Sequence, residues 1–323
     1  MTENSGNPAR TMIVGGAGFI GSHFTDRLLA DGADHGVTIY DNFSSGLDWH
    51  IEHHAGDSRL QVIKADAGDV ETLTSAMAGH DTVIHLAANP DIARAAEEPA
   101  IDFDQGTILT HNVLEAMRRS GCGRILYASG SGVYGDLGET EAHEDHGPLR
   151  PISTYGASKL ASEAMISAYN HMFGLTGCIF RFGNVVGPRQ THGVGLDFIR
   201  KLRDDPARLP ILGDGRQSKS YIHVSDVVAA VLHADQPGKE SLGIYNVATG
   251  DYITVGEIAD LAVACMGLEA GSVEYDYSGG ERGWEGDVPV VRFNCDRIGA
   301  LGWTCRHSSA EAIRLSLEAL IKQ

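Results

Sequence analysis

The chain has 323 residues, 42% hydrophobic and 21% charged, which suits an α/β core of one large or two intimately joined domains. With 43 acidic against 25 basic residues the net charge is −18, which repels nucleic acid and anionic membrane and leaves any anionic ligand to be held by local groups. No stretch is apolar for long enough to span a bilayer, and residues 1–10 are polar without a signal-peptide core, so a disordered tail and a cytoplasmic protein are expected.

The first element is TMIVGGAGFIG, Thr11 to Gly21. Met12 to Val14 reads as a buried strand, and a helical apolar pattern runs from Phe24 to Ala30. Between them Gly15 permits a tight turn, Gly18 lets backbone approach a pyrophosphate, and Gly21 lets the helix pack on the sheet, with the phosphates at the helix N-terminus. A second strand pattern, Val37 to Tyr40, ends in Asp41. An acid at that place accepts hydrogen bonds from the adenosine ribose hydroxyls and repels a 2′-phosphate, so NAD is favoured over NADP.

Further strands are expected at Gln61 to Lys64, Thr82 to His85, Arg124 to Ala128 and Cys178 to Phe180, with helical patterns between them such as Val70 to Ala78 and Thr107 to Arg119. This alternation specifies a doubly wound parallel sheet of Rossmann type, whose ligands bind at the carboxyl ends of the strands. The residues that follow the strands are therefore the candidates: Asp66, Ala87 and Ala88, and Ser129 to Ser131. Asp66 suits either the adenine amino group or the N-cap of the next helix. After residue 180 the composition changes. Gly183 to Gly195 is broken by glycine and proline, and the expected division is a dinucleotide-binding domain over 11–180 and a smaller substrate-binding α/β region over 181–323, interwoven with the first. No internal repeat is present.

Cys122, Cys178, Cys265, Cys295 and Cys305 are scattered singly and read as reduced thiols. Among fifteen histidines His50, His53 and His54 cluster, but no carboxylate or cysteine stands at ligand spacing around them and no metal site is expected.

Ser153 to Lys159, STYGASK, leads into a helical pattern from Leu160 to Tyr169. Spacing of four puts the Tyr155 and Lys159 side chains on one helix face, one turn apart. A phenol of ordinary pKa ~10 is a poor base at neutral pH unless a cation stabilises its anion, and Lys159 is placed to do so while holding ribose hydroxyls.

Together the glycine turn, Asp41, HLAA, SGSGVYG, YGASK, RFGNVVGPR and LGDGRQSKSYIHVSDV resemble the extended short-chain dehydrogenase/reductase family, specifically its nucleotide-sugar epimerases and dehydratases, over about residues 10–303. The resemblance implies tightly held NAD, a nucleoside diphosphate sugar as substrate, most simply a UDP-sugar, and a homodimer formed through a helical bundle. It implies Tyr155 as the base for the sugar hydroxyl and Lys159 as its partner. Cofactor contacts are implied at Gly15, Gly18, Phe19, Ile20, Gly21, Asp41, Asn42, Ser45, Gly46, Asp66, Ala67, Leu86, Ala87 and Ala88, besides Tyr155 and Lys159. Substrate contacts are implied at Asn89, Ser129, Gly130, Ser131, Tyr155, Asn184, Arg189, Lys219 and Arg282, with Asp287 a further candidate.

Three departures stand out. Gly130 occupies the place of the Ser or Thr that hydrogen-bonds the reacting O4, so Ser131, or else Ser129 or a water, supplies that hydroxyl; of these Ser131 is preferred. Val14 replaces a threonine, and Gly106 stands where relatives often carry an asparagine. The 4,6-dehydratases of the family carry Asp-Glu before VYG, and the UDP-glucuronate decarboxylases a Glu at the second of those positions; here the residues are Ser131 and Gly132, which cannot serve as acid or base. The expectation is a 4-epimerase acting on UDP-glucose or UDP-glucuronate. The alternatives are a dehydratase, a decarboxylase, an NADP-dependent keto-reductase and a non-catalytic NAD-binding sensor.

Overall fold

The structure, a computed structural model, describes residues 9–31, 35–235, 240–284 and 286–323. Residues 1–8 of the expected tail lie outside the described residues, and Arg10 already pairs with Gly36 in the first strand.

Seven parallel strands form the central sheet: β1 (Arg10–Val14), β2 (Gly36–Asp41), β3 (Leu60–Lys64), β4 (Thr82–His85), β5 (Arg124–Gly130), β6 (Thr176–Phe182) and β7 (Leu242–Val247), in the spatial order β7-β6-β5-β4-β1-β2-β3. The helices are α1 (Phe19–Asp31), α2 (Val70–Met77), α3 (Leu109–Ser120), α4 (Thr154–Phe173), α5 (Val194–Asp204) and α6 (Val224–Ala234), followed by Val255–Cys265 and Ser309–Leu320.

Strand residues alternate between two cores, because successive side chains point to opposite faces. Ile13, Ile84, Leu126 and Phe180 face one core with Phe24 and Leu28 of α1 and Val227 and Val231 of α6. Met12, Val83, Ile125 and Ile179 face the other with Leu73 of α2, Val113 and Met117 of α3 and Ile166 of α4. Both faces are buried, so the strands read as continuous apolar runs. Each large apolar side chain so buried stabilises the fold by roughly 1.5–3 kcal/mol.

The second half of the chain is woven into this sheet. β7 pairs in parallel with β6, and α6 covers one sheet face, although both come from residues beyond 180. The remainder builds a third core around α5 and the helices Val255–Cys265 and Ser309–Leu320. Chain order runs β1-β2-β3 to one side and β4 onward to the other. The reversal between β1 and β4 is the switch point at which α/β sheets hold ligands.

A candidate active site at the carboxyl edge of the sheet

A cavity of about 1140 Å³ opens at the carboxyl ends of the strands and extends beneath α5. Gly15 turns the chain out of β1 at φ +85°, a conformation glycine adopts without strain, and a side chain there would stand 2.7 Å from the Ala87 nitrogen. Gly21 differs from expectation: its missing side chain makes room for the glycine turn itself, 2.5 Å from the Gly15 oxygen, rather than for the sheet. α1 therefore begins hard against the turn, five residues before the expected Phe24, and its first residues Phe19, Ile20 and Gly21 line the cavity.

Asp41 ends β2 almost fully buried. Its Oδ2 accepts from the Ala17 nitrogen at 2.9 Å and its Oδ1 from the Phe43 nitrogen at 2.8 Å. Burial raises its pKa, and those two N–H groups oppose the rise. Each oxygen keeps a lone pair for a further donor. Asn42 donates to Asp66 Oδ2 at 2.8 Å, while Asp66 Oδ1 accepts from the Gly68 nitrogen. The cap of α2 is Asp69, three residues later, which leaves Asp66 on the cavity wall. Ser45, Ala67, Leu86, Ala87 and Ala88 complete this side, whereas Gly46 packs against Ala17 and does not line the cavity.

Ser153 caps α4 by accepting from the Gly156 nitrogen at 3.1 Å, and this fixes Tyr155 and Lys159 in the first turns at the cavity floor. The Lys159 ammonium donates to the Ala128 carbonyl at 2.7 Å and lies 5.5 Å from the Tyr155 ring centroid. Burial lowers the Lys159 pKa to about 8. Burial first, and the Asp102 charge second, push the Tyr155 phenol up to about 12. Asp102 is itself engaged, accepting from Asn89 at 2.9 Å and from Thr154 at 2.7 Å. Asn89 is thereby committed to the wall, since its Oδ1 also accepts from the Asp91 nitrogen.

Ser129 and Ser131, two residues apart, would share one face of a continuing strand, but β5 stops at Gly130 and the chain enters the 3-10 turn Ser131–Val133, so the two serines reach the cavity in different surroundings. Ser129 is buried, and its hydroxyl donates to Glu163 at 2.5 Å within a pair that Glu163 makes with Arg181 at 2.6 Å. Ser131, past the end of β5, lines the cavity half-buried. Gly130 is extended, at φ −159°, and a side chain there would meet only the Phe182 oxygen, at 3.9 Å. Gly132 is different, for a side chain would stand 3.2 Å from the Gly156 Cα. Gly106 is closed as well: its Cβ would fall 2.1 Å from the Ser158 hydroxyl, in the π-helical turn Phe103–Ile108 that brings Gln105 onto the cavity wall.

The far wall comes from residues beyond 180. Asn184 and Lys219 line it, with the Lys219 ammonium 2.5 Å from Asp287 Oδ1. Arg189 and Arg282 do not line it. The Arg189 guanidinium pairs with Asp26 at 2.8 Å, and Arg282 pairs with Asp136 at 2.6 Å and donates to the Asp287 carbonyl. Sequence reasoning missed Gln190, His192 and Trp284, which line the cavity. The first two fall in the glycine- and proline-broken run after β6, which is the signal that could have found them.

A glycine turn with no room for side chains, a buried carboxylate ending β2 and a Tyr/Lys pair at the strand ends define a Rossmann-type protein fitted to hold a dinucleotide. The model of the NAD dependent epimerase/dehydratase family matches residues 11–248, and the chain belongs to that family and is NAD-dependent. It is 33% identical over 310 residues to a putative UDP-glucose 4-epimerase of Methanocaldococcus jannaschii, covering 94% of this chain and 95% of that one. It is 30% identical over 316 residues to a dTDP-glucose 4,6-dehydratase of an Actinoplanes species, covering 94% and 95%. A crystal structure of UDP-galactose 4-epimerase superposes with TM-score 0.86 at 35% identity, over 97% of this chain and 99% of that one. The structure of MoeE5 in complex with UDP-glucuronic acid and NAD gives 0.84 at 27% identity, over 96% and 98%.

Proposed function

We propose that the chain is an NAD-dependent 4-epimerase of UDP-hexoses, acting through a transient 4-keto sugar. The observation that carries this reading is the end of β5. Ser131 and Gly132 line the cavity there without a carboxylic acid, and a side chain at position 132 would stand 3.2 Å from the Gly156 Cα and 3.9 Å from the Tyr155 ring. Loss of water across C5 and C6, and protonation of C5 after loss of carbon dioxide, call for an acid or base beyond the phenol; epimerisation does not.

The glycine turn, Asp41 and Lys159 hold NAD in this reading, and when bound it supplies a reversible hydride acceptor that oxidises C4 and returns hydride to the opposite face. Tyr155 takes the O4 proton and gives it back, its phenolate stabilised by the Lys159 ammonium. Ser131 hydrogen-bonds O4. Asn184 and Lys219 grip the nucleoside diphosphate, Lys219 as a point charge oriented by Asp287 rather than as a bidentate fork. Firm hold on the nucleotide with small residues around the sugar lets the ketone turn over. A C6 alcohol and a C6 carboxylate both fit this wall, so UDP-glucose and UDP-glucuronate are the substrates to compare.

Five free cysteines among the described residues support a reducing, cytoplasmic setting. Met172 and Phe173, 68% and 50% exposed at the end of α4, support a homodimer with that end of the helix in its interface. Mass spectrometry of the product tests the reaction class: an unchanged mass with altered configuration supports epimerisation, whereas loss of water or carbon dioxide refutes it.

A further inference from the structure

The fold brings together a cluster that the sequence keeps apart. Asp26 lies on α1, and His53 and His54 lie in the short 3-10 turn Glu52–His54 that follows β2. The Nε2 atoms of His53 and His54 stand 2.8 and 2.7 Å from the same Asp26 oxygen, Oδ1. The other oxygen, Oδ2, is held by Arg189 at 2.8 Å. The carboxylate that sequence spacing did not supply is therefore present beside the two imidazoles.

When each imidazole carries its proton on Nε2, the two donate to the two lone pairs of one carboxylate oxygen. With the proton on Nδ1 instead, two nitrogen lone pairs and one oxygen lone pair converge on one point. The three ligand atoms lie within 4.8 Å of one another. Four-coordinate zinc, with bonds of about 2.0–2.2 Å, holds its ligands roughly 3.3 Å apart, so the imidazoles need withdraw from Oδ1 by only about 0.5 Å. The side chains of His53, His54 and Asp26 are 44%, 18% and 30% exposed, which leaves a face open to solvent. Arg189 fixes the carboxylate from behind, as an outer partner of a metal ligand does.

We propose that Asp26, His53 and His54 form a binding site for a divalent transition cation, with the remaining position taken by water. Imidazole and carboxylate donors select the zinc, copper and nickel class over magnesium or calcium. The ion would act as a clip. It would join α1, whose first turn borders the NAD cradle, to the segment whose His50 Nδ1 contacts the Ala17 carbonyl at 2.8 Å beside the glycine turn.

The test is equilibrium dialysis of the full chain, stripped with chelator, against Zn²⁺ alone, with visible absorption of Co²⁺ as the readout of ligand geometry. Wild type is expected to bind one equivalent and to give the bands of a four-coordinate nitrogen/oxygen site. His53→Gln with His54→Gln should weaken binding by about tenfold or more and abolish those bands. Asp26→Asn supplies the same comparison should the double variant misfold. Unchanged binding in the variants, which would place the ion on the cysteines or elsewhere, or no binding by wild type, overturns the proposal.

Discussion

Replacing Lys159 with methionine isolates the electrostatic part of the proposed chemistry. The buried ammonium lies 5.5 Å from the ring centroid of Tyr155, which is half-buried on the cavity floor. At that separation a unit charge in an effective dielectric of about 20 stabilises the phenolate by about 3 kcal/mol. This corresponds to a phenol pKa lowered by about 2 units, since one unit is about 1.36 kcal/mol. At a pH below the phenol pKa, the variant should lose about a hundredfold in kcat/KM with NAD saturating. The pH profile carries the sign. The wild-type rate rises with pH as the phenol ionises. It levels off once the ammonium, whose pKa burial lowers to about 8, gives up its proton, because each ammonium lost is offset by further ionisation of a phenol whose pKa is about 12. Methionine removes that break, so the variant's rate goes on rising with pH from a lower level. The assay is kcat/KM against pH for both proteins, with retained NAD measured in parallel because Lys159 also faces the ribose in this reading. A variant whose profile keeps the break near pH 8, or whose rate falls less than about fivefold, would refute the assignment.

The remaining predictions concern the strand end and the turn. Ser131→Ala should lower kcat by about a hundredfold while leaving the melting temperature unchanged, whereas Ser129→Ala, which strips a donor from Glu163, should cost about 1–3 kcal/mol in urea unfolding. The reverse pattern would exchange their roles. Gly130→Ser finds extended backbone and open space, and should fold normally and raise turnover if O4 lacks a second donor; a loss of stability would contradict the geometry. Arg181→Met strands the buried Glu163 carboxylate and should cost about 3–5 kcal/mol by denaturant titration, a loss below about 1 kcal/mol counting against that account. Gly15→Ala forces a side chain into φ +85° and onto the Ala87 nitrogen, so NAD should be lost on purification; full retention would show that the turn yields.

Six of the seven strands were legible because β1 to β6 carry their own signal, apolar runs most of which are closed by glycine, aspartate or serine. β4 has the expected bounds, and the other five strands extend one or two residues past the expected bounds at one or both ends, since backbone pairing continues through polar ends such as Arg10 and Thr176. β7 was not foreseen. Its six residues include Gly243, and its place beside β6 is set by pairing across more than sixty residues of chain, which no local pattern encodes. The site divided in the same way. Glycine turn, Asp41, Tyr155 and Lys159 stand at fixed offsets from strand and helix ends, so spacing alone located them on the cavity wall. Arg189 and Arg282 were chosen for charge near a motif, but their partners Asp26, Asp136 and the Asp287 carbonyl come from distant or folded-back segments and draw them off the cavity. Ser129 and Ser131 differ because the chain turns after Gly130, and Ser129 is engaged by the Glu163 and Arg181 pair, which comes from α4 and β6 and leaves no mark in the local sequence.

The central claim is that the sugar is inverted at C4 and otherwise unchanged. Purified protein would be incubated separately with UDP-glucose and UDP-glucuronate, with and without added NAD, and the anomeric protons followed by NMR. The account predicts a galacto-configured product from at least one of them, with Tyr155→Phe inactive. Neither sugar changing while NAD is bound, or Tyr155→Phe turning over at the wild-type rate, would contradict it.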